Sequence, residues 1–360
     1  MSFTRFAPTD FVVSTDSITA PAWSSNQPQL SAFYTASVVP TTQISAGAFY
    51  LNVYQLPVTT NGSSTQFAIA YGNQGGSGSK LYNDLVPGVS PSLTTYGQYL
   101  TLIYGPTVSG SQGFNFGGLA GNAPDMFAIN VDRNRYKESL FPGTFNLQLS
   151  GSAGQIQICD DSNDTTVVTY LDCGRVFNLV SGSFGKATTT TNLGQITNGY
   201  TVSGSYGLYL PDIGTIILNP SALALPAASG GIALPLDRNN YGDPGYTVAA
   251  SASYTSTSNT LLFQAISQSS NFQLNSQENV SSDYVFVRVG NGDYNYSSNP
   301  TFTSGSGNVR FNTMIYSPQT YMTTVGLYND SSQLLAVAKM SKPLVKDFTK
   351  EALIRVKLDW

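Results

Sequence analysis

Histidine, the side chain best suited to acid–base and metal chemistry near neutral pH, does not occur in this 360-residue chain. Its absence excludes Ser-His-Asp and Cys-His catalysis and histidine-based zinc sites. The carboxylates are three glutamates, Glu138, Glu278 and Glu351, and seventeen aspartates that lie mostly in turn-like contexts. A carboxylate pair can hydrolyse a glycosidic bond, so a glycosidase stays open on chemical grounds. Because no nucleophile has a recognisable base, we expect a protein that is not an enzyme.

Cysteine chemistry is restricted too, because Cys159 and Cys173 are the only cysteines. They cannot form a disulfide framework or a four-cysteine zinc site. A hairpin folded about residues 161–164 would place Cys159 opposite roughly position 166 and leave Cys173 near the far strand end. We therefore expect two free thiols rather than a bridge.

The run Asp-Asp-Ser-Asn-Asp at residues 160–164 has the composition of a calcium loop. It lacks the glycine at the sixth position and the glutamate at the twelfth that an EF-hand requires. A hairpin turn is the favoured interpretation, and a calcium site is the alternative. The glycine-rich runs at 75–78 and 114–118 contain no Gly-Lys-Ser/Thr and open no helix. We expect neither a cofactor nor a required metal.

Charged residues make up 10% of the chain, against about 25% in typical proteins, and the net charge is −4. This acidic balance excludes a general nucleic-acid binder, which needs basic residues to neutralise phosphates. The basic residues gather near the C-terminus, where six of the sixteen lie: Lys339, Lys342, Lys346, Lys350, Arg355 and Lys357. We predict that residues 320–360 are the principal docking element for a partner. The alternative is that these strands complete the last domain's own sheet, with the lysines in solvent.

A second group of basic residues, Arg133, Arg135 and Lys137, forms the densest charge cluster outside the C-terminus. Arginine favours bidentate bonds at interfaces, so this group is a second candidate for partner binding. A solvated turn before Leu140 explains the cluster equally well. The twenty-two tyrosines allow sugar stacking or broad interface burial, although most fit as strand residues.

Apolar residues recur mostly at every second position, between closely spaced glycine, proline and Asn-Gly turns. This pattern predicts an all-β chain of two or three sandwich- or barrel-like units, with regions at 1–150, 151–300 and 301–360. Typical predicted strands cover 49–56, 66–71, 99–104 and 284–289. At the C-terminus we expect a hairpin about 329–332 and a closing strand with Ile354, Val356 and Leu358 on one face and Arg355, Lys357 and Asp359 on the other. Residues 259–269 fit a short helix or a strand equally well.

Three segments predict exposed loops or arms: 74–79, 185–192 and 238–245. The first forty residues, interrupted by four prolines, predict an extended arm. No stretch of about 18 apolar residues occurs, and residues 1–6 contain no apolar run long enough for the core of a signal sequence. We therefore expect a chain without a membrane span, made in a reducing cytoplasm.

Several C-terminal strings resemble virion structural proteins of contractile-tailed bacteriophages, especially those of cyanophages. They are Thr-Val-Gly-Leu-Tyr-Asn-Asp at 324–330, Leu-Leu-Ala-Val-Ala-Lys at 334–339 and Ser-Lys-Pro-Leu at 341–344. The resemblance extends over most of the chain, through residues 1–6, 76–79, 81–83, 96–99, 135–138, 142–143 and 210–214. The Gly-Leu-Tyr hairpin is also similar to attachment parts of some phage tail-fibre proteins.

The resemblance implies a non-enzymatic structural subunit of a virion, most naturally in the tail or baseplate. Its partners would be copies of itself and other virion proteins. The alternative is a carbohydrate-binding adhesin or tail-spike-like protein that recognises a host-surface glycan. Against this alternative stand the absence of a β-helix repeat and the presence of only two tryptophans, Trp23 and Trp360. The resemblance carries no functional residue to this chain.

Overall fold

The computed structural model describes residues 4–35, 50–76, 78, 91–106, 113–117, 123–188, 199–235, 258–297 and 299–359. The protein is mostly β, with 45% strand and 16% helix. This helix content is well below the roughly one third that is usual in globular proteins, and the all-β prediction is confirmed. The loop predicted at 238–245 lies outside the described residues.

The described part of the chain contains nineteen strands with the following bounds: β1 (Phe11–Pro21), β2 (Gln29–Leu30), β3 (Tyr34–Thr35), β4 (Tyr50–Tyr54), β5 (Thr65–Asn73), β6 (Asp125–Val131), β7 (Ser139–Leu140), β8 (Asn146–Gly151), β9 (Gly154–Asp160), β10 (Thr169–Leu171), β11 (Gly174–Ser183), β12 (Lys186–Ala187), β13 (Gly207–Leu210), β14 (Thr215–Leu218), β15 (Phe272–Gln273), β16 (Asn275–Val289), β17 (Thr320–Tyr328), β18 (Leu334–Lys346) and β19 (Ala352–Asp359). The α-helices among the described residues are α1 (Ser92–Tyr104), α2 (Pro220–Leu223), α3 (Ser258–Ser269) and α4 (Asn312–Tyr316).

The chain divides into two compact units. The central unit is Ile18–Glu278, and the terminal unit combines Met1–Ser17 with Asn279–Trp360. Each unit has its own hydrophobic clusters, and none of the clusters found among the described residues draws on both. These limits differ from the predicted boundaries near residues 150 and 300. Residue 150 lies inside β8, whose pairing with β9 holds it within one continuous sheet.

The central unit is built on one antiparallel sheet that curls into a half-barrel. Its strand order is β2-β15-β8-β9-β11-β13-β14-β6-β5-β4-β3, with β10 and β12 both paired to β11. Side chains of successive residues alternate between the two faces, and both faces are covered. In β6, for example, Phe127 and Ile129 belong to one cluster while Met126 and Ala128 belong to the other.

Helix α1 covers one face of this sheet, where the sequence predicts a strand over 99–104. That prediction is wrong, because Tyr96, Leu100 and Ile103 fall at helical spacing and all three are buried. The helix lies directly against β5 at Gly72, where an added Cβ would come within 2.8 Å of the Tyr96 amide nitrogen. Tertiary packing thus overrides the strand propensity of the aromatic and β-branched residues.

Helix α3 lies on the other face of the sheet. Its Leu262, Ala265 and Ile266 are buried in the same cluster as Phe272 and Trp23. Of the two structures that fit residues 259–269, the protein adopts the helix.

The run at 160–164 connects β9 to β10 and does not fold them onto each other, so the predicted hairpin is wrong. Strand β9 pairs with β11 instead, and Cys159 lies opposite Val180. Cys173 lies in the turn between β10 and β11. Both cysteines are buried free thiols, as expected. Burial raises the pKa of Cys159 to about 12 and that of Cys173 to about 11, so neither is a thiolate at neutral pH.

The terminal unit contains the sheet β1-β16-β19 and the separate hairpin β17-β18. Residues 11–17, within the predicted N-terminal arm, form part of β1, whereas residues 36–49 lie outside the described residues. The hairpin turns at 329–333, where the Asn329 amide donates to the Gln333 carbonyl at 3.0 Å. Between β17-β18 and β16-β19 lies a small core that contains Val285, Leu327 and Val356.

Candidate docking surface

The closing strand β19 has the predicted two-faced pattern. Lys357 pairs with Tyr284 of β16, and Arg355 pairs with Phe286. The Arg355 guanidinium carbon is 5.3 Å from the centre of the Tyr284 ring, and the Lys357 nitrogen is 6.0 Å from it. These contacts are within the range of cation–π attraction. One aromatic ring therefore holds two of the predicted docking cations on a single exposed face.

A carboxylate shares this face with the cations. Asp359 accepts a hydrogen bond from the Ser282 hydroxyl at 2.7 Å and forms an ion pair with Lys357 at 2.9 Å. The Ser282 hydroxyl first, and then Lys357, lower the pKa of Asp359, while Asp359 raises the pKa of Lys357. Both groups are therefore charged at neutral pH, and the face presents a compensated pair beside the Arg355 cation.

The other face of β19 is turned inward. Val356 is buried, and Ile354 and Leu358 pack against the same cluster as Val285 and Leu327. These apolar residues contribute to the core of the terminal unit, so they are not available to a partner. With this face, β19 completes the sheet of its own domain, as the alternative interpretation of the C-terminal strands expects.

Lys346 differs from the other five C-terminal cations because its side chain is completely buried. Its nitrogen donates to the Asn291 carbonyl at 2.8 Å, to Asn295 Oδ1 at 3.0 Å and to the Asp347 carbonyl at 2.8 Å. Three acceptors match the three hydrogens of an ammonium group. Lys346 thus anchors the 291–295 loop to the end of β18 and cannot meet a partner's carboxylate directly.

The remaining C-terminal cations are exposed but do not form one cluster. Lys339 and Lys342 lie on β18. Lys350 follows β18 and pairs with Asp347 at 3.1 Å. These three residues belong to the hairpin and its connection, whereas Arg355 and Lys357 belong to the β16-β19 face.

The second predicted group lies in the central unit around a single 3₁₀ turn. Arg133 donates to the Tyr136 carbonyl at 2.6 Å, and its guanidinium lies 4.6 Å from the centre of the Tyr136 ring. Lys137 pairs with Glu278 at 2.7 Å. Nε of Arg135 is buried and has no hydrogen-bond partner among the described residues. The two arginines and the lysine are neighbours, but intramolecular contacts already occupy Arg133 and Lys137.

Exposed apolar side chains are the feature of the terminal unit that the sequence reasoning misses. On β18, Leu335 and Val337 are 69% and 58% exposed, while Ala336 and Ala338 face the core. On β1, Val13 is 70% exposed. The signal is present in the sequence, because a strand with apolar residues at successive positions has an apolar outer face once its inner face is buried.

No candidate metal or cofactor site emerges from the described residues. They contain no group of three or more Asp, Glu or Cys residues that is arranged to hold a metal ion. In the 160–164 run, Asp160 accepts from the Gly143 amide at 2.7 Å, and Asp161 accepts from the backbone and side chain of Asn178. These carboxylates bind the protein's own amides. No helix among the described residues is long and apolar enough to cross a membrane.

Comparison of the chain with known protein families, with curated proteins and with solved structures finds no match.

Proposed function

We propose that this chain is a non-enzymatic structural subunit of a tailed-phage particle, placed in the tail or baseplate and assembling in several copies through β-rich interfaces. The observation that carries the proposal is the combination, in the terminal unit, of exposed apolar side chains with sheet edges that no described strand covers. Such surfaces are typical of proteins that bury them against another chain. The sequence resemblance to virion structural proteins supports the same function.

Charge supports a division of roles between the two units. The terminal unit has nine basic and eight acidic side chains, whereas the central unit has seven and twelve. The exposed cations Lys339, Lys342, Lys350, Arg355 and Lys357 would orient a partner more than strengthen its binding, because ion pairs at the rim of an interface are screened by water.

The test is a fivefold variant, in which five residues are changed to glutamine and Lys346 is left in place. The five are Lys339, Lys342, Lys350, Arg355 and Lys357. We expect a folded protein that is lost from purified particles. The matched control changes Arg5 and Arg310, two exposed cations of the same unit, to glutamine and should incorporate normally. Normal incorporation of the fivefold variant would refute the docking role of these cations. A cryo-EM map of the particle that lacks this chain would refute the structural role.

A glycan-binding adhesin is the second candidate, and an aromatic cluster in the terminal unit favours it. Tyr296 and Phe302 have ring centres 5.7 Å apart, Phe302 and Phe311 are 6.0 Å apart, and Tyr316 on the short helix α4 is 88% exposed. Exposed rings among hydroxyl and amide groups can stack on sugars. Retention of the chain by host polysaccharide, abolished by Tyr316→Ala or Tyr296→Ala, would favour this function over the first.

A further inference from the structure

The sheet β1-β16-β19, whose middle strand β16 also pairs with the short strand β7 at residues 276–277, ends in two unpaired edges in the terminal unit. Its order is β1-β16-β19, and no other described strand pairs with the outer side of β1 or of β19. Each edge therefore presents a row of backbone amides and carbonyls that can continue the sheet with another strand. A single copy of the chain thus supplies both halves of a strand-to-strand junction.

The part of β1 in the terminal unit, residues 11–17, lacks the features that usually protect an edge strand. It reads Phe-Val-Val-Ser-Thr-Asp-Ser and contains no lysine, proline or glycine. Phe11, Val12 and Val13 are all about half exposed or more. Soluble proteins blunt their edges with lysine, proline or bulges, because an unblunted edge recruits another strand. Such an exposed apolar edge is suited to pairing.

The net charges on the two edges are opposite. Asp16 is the only charged residue of β1, whereas β19 carries Arg355, Lys357 and Asp359 and has a net charge of +1. Within one copy, Asp16 is near enough to act on Lys357 electrostatically, although β16 lies between their strands. Adjacent strands are about 4.8 Å apart, so a second β1 placed against β19 in the register that aligns Asp16 with Lys357 would bring these two residues within one strand spacing instead of two.

We propose that copies of this chain assemble head to tail, with the outer edge of β1 in one copy paired to the outer edge of β19 in the next, so that one sheet runs through neighbouring subunits. The pairing is heterologous, and it therefore produces rings or filaments rather than closed dimers. This inference rests on the proposed multi-copy structural role and specifies the contact that performs it.

Pairing of identical edges is less favourable. Asp16 stands at the middle of the eleven-residue β1, so two antiparallel copies of β1 in full overlap would place the two Asp16 carboxylates opposite each other. Two antiparallel copies of β19 offset by one residue from full overlap would likewise place Arg355 of each copy opposite Lys357 of the other. Like charges directly opposite each other destabilise a strand pair, whereas opposite charges stabilise it.

Charge exchange across the junction tests the proposal. Sedimentation velocity over a range of concentrations measures assembly of the purified full-length chain, and circular dichroism checks the fold of each variant. We expect Asp16→Lys and Lys357→Asp each to raise the concentration for half-assembly about tenfold. The double variant Asp16→Lys, Lys357→Asp should assemble like the wild type. Matched controls are Asp330→Lys and Arg310→Glu, which change exposed charges of the terminal unit outside the two edge strands.

Each outcome of the charge exchange either supports or overturns the β1-to-β19 pairing. Rescue in the double variant supports β1-to-β19 pairing. Wild-type chain that stays monomeric at every concentration, or single variants that assemble normally, overturns it. Loss of assembly in the Arg310→Glu control alone also overturns it, because Arg310 lies outside both edge strands. Mass spectrometry of purified particles separately tests the proposed function, because the chain can be present in particles whether or not its edges pair.

Discussion

Two buried tyrosines of the central unit differ in a single hydrogen bond. The Tyr206 hydroxyl donates to the Gly230 carbonyl at 2.6 Å, whereas the Tyr209 hydroxyl has no partner among the described residues. Burial raises the pKa of Tyr206 to about 12 and holds the pKa of Tyr209 well above its ordinary value, so both hydroxyls are neutral at physiological pH. An unpaired buried hydroxyl costs free energy that a phenyl ring does not.

We predict that Tyr209→Phe leaves the free energy of unfolding unchanged or raises it by up to about 2 kcal/mol, because it removes an unsatisfied polar atom. Tyr206→Phe should lower the free energy of unfolding by about 1–2 kcal/mol, because it breaks a made bond and orphans the Gly230 carbonyl. Urea unfolding of both variants measures the difference. A greater loss in Tyr209→Phe than in Tyr206→Phe would contradict this prediction.

Asp160 is a buried carboxylate that accepts a hydrogen bond from the Gly143 amide at 2.7 Å and lies beside Ser162, whose hydroxyl and amide oppose the effect of burial on its pKa. Burial raises the pKa of Asp160 above its ordinary value of 3.8. The folded chain therefore holds this proton to higher pH than the unfolded chain does. Asp160 therefore contributes most to the free energy of unfolding at a pH below its ordinary pKa of 3.8. This contribution declines as the pH rises through the higher pKa that Asp160 has in the folded chain.

We therefore predict that Asp160→Asn gains stability relative to the wild type as the pH rises from about 3.5 to 7. The amide keeps an oxygen for the Gly143 N–H and carries no charge to desolvate. Urea unfolding at several pH values measures the gain, with the exposed Asp330→Asn as the control. A difference between Asp160→Asn and the wild type that does not change with pH would contradict the assignment.

Lys346 is a buried lysine whose ammonium group holds the 291–295 loop against the end of β18. We predict that Lys346→Met lowers the free energy of unfolding by about 1–3 kcal/mol, because it leaves buried acceptors of the 291–295 loop and Asp347 without a donor. Lys342→Met, an exposed change on the same strand, should stay within about 0.5 kcal/mol of the wild type. Equal stability of the two variants in urea unfolding would show that the ammonium contacts contribute nothing.

At the scale of elements, the packing of α1 on β5 depends on one close approach. A Cβ at Gly72 would come within 2.8 Å of the Tyr96 amide nitrogen and 2.9 Å of its Cα. A Cβ at Gly97, on the same helix, would meet nothing within 4 Å. Alanine at Gly72 of β5 therefore tests how closely the helix must pack on the sheet, whereas alanine at Gly97 tests the intrinsic helix propensity of α1.

We predict that Gly72→Ala lowers the free energy of unfolding by about 1–3 kcal/mol, because backbone atoms of α1 must move away. Gly97→Ala should raise it by about 0.5–1 kcal/mol, because alanine favours the helix and fits without contact. Thermal unfolding followed at 222 nm compares the two variants. Tolerance of alanine at Gly72 would show that α1 is free to shift on the sheet.

At the scale of the whole molecule, each unit has its own hydrophobic core. All residues of the two large clusters lie within 18–278, and all residues of the third lie in the terminal unit. A domain with its own core can in principle fold alone. The two units therefore have separate physical grounds for stability.

We predict that a fragment of residues 18–278 folds by itself. It should keep a near-ultraviolet circular dichroism spectrum typical of packed aromatic rings, because Trp23, Phe67 and Phe272 contact one another inside it. It should also run as a compact species in size-exclusion chromatography. A fragment that binds the dye ANS and lacks the near-ultraviolet signal would show that the central unit needs the terminal segments.

Local patterns in the sequence were sufficient to predict the β class and several elements. The alternation over Ala352–Asp359 predicts which side chains of β19 face the core, because successive strand residues point to opposite faces. The Asn-Asp-Ser-Ser turn predicts the β17-β18 hairpin, because these residues favour turn geometry. The free thiols were also expected, but from a hairpin about 161–164 that the chain does not form. Each of these features depends on residues close together in the chain.

Tertiary structure alone decided features that depend on distant residues. Cys159 lies opposite Val180 rather than a nearby residue, because β9 pairs with β11. Residues 99–104 are helical because Tyr96, Leu100 and Ile103 find a buried sheet face to pack on. Lys346 is internal because the 291–295 loop supplies its acceptors, and the edges of β1 and β19 are visible only once their single partner, β16, is known. Hydrophobic burial and strand pairing are long-range interactions, so a residue's own neighbours in the sequence do not specify them.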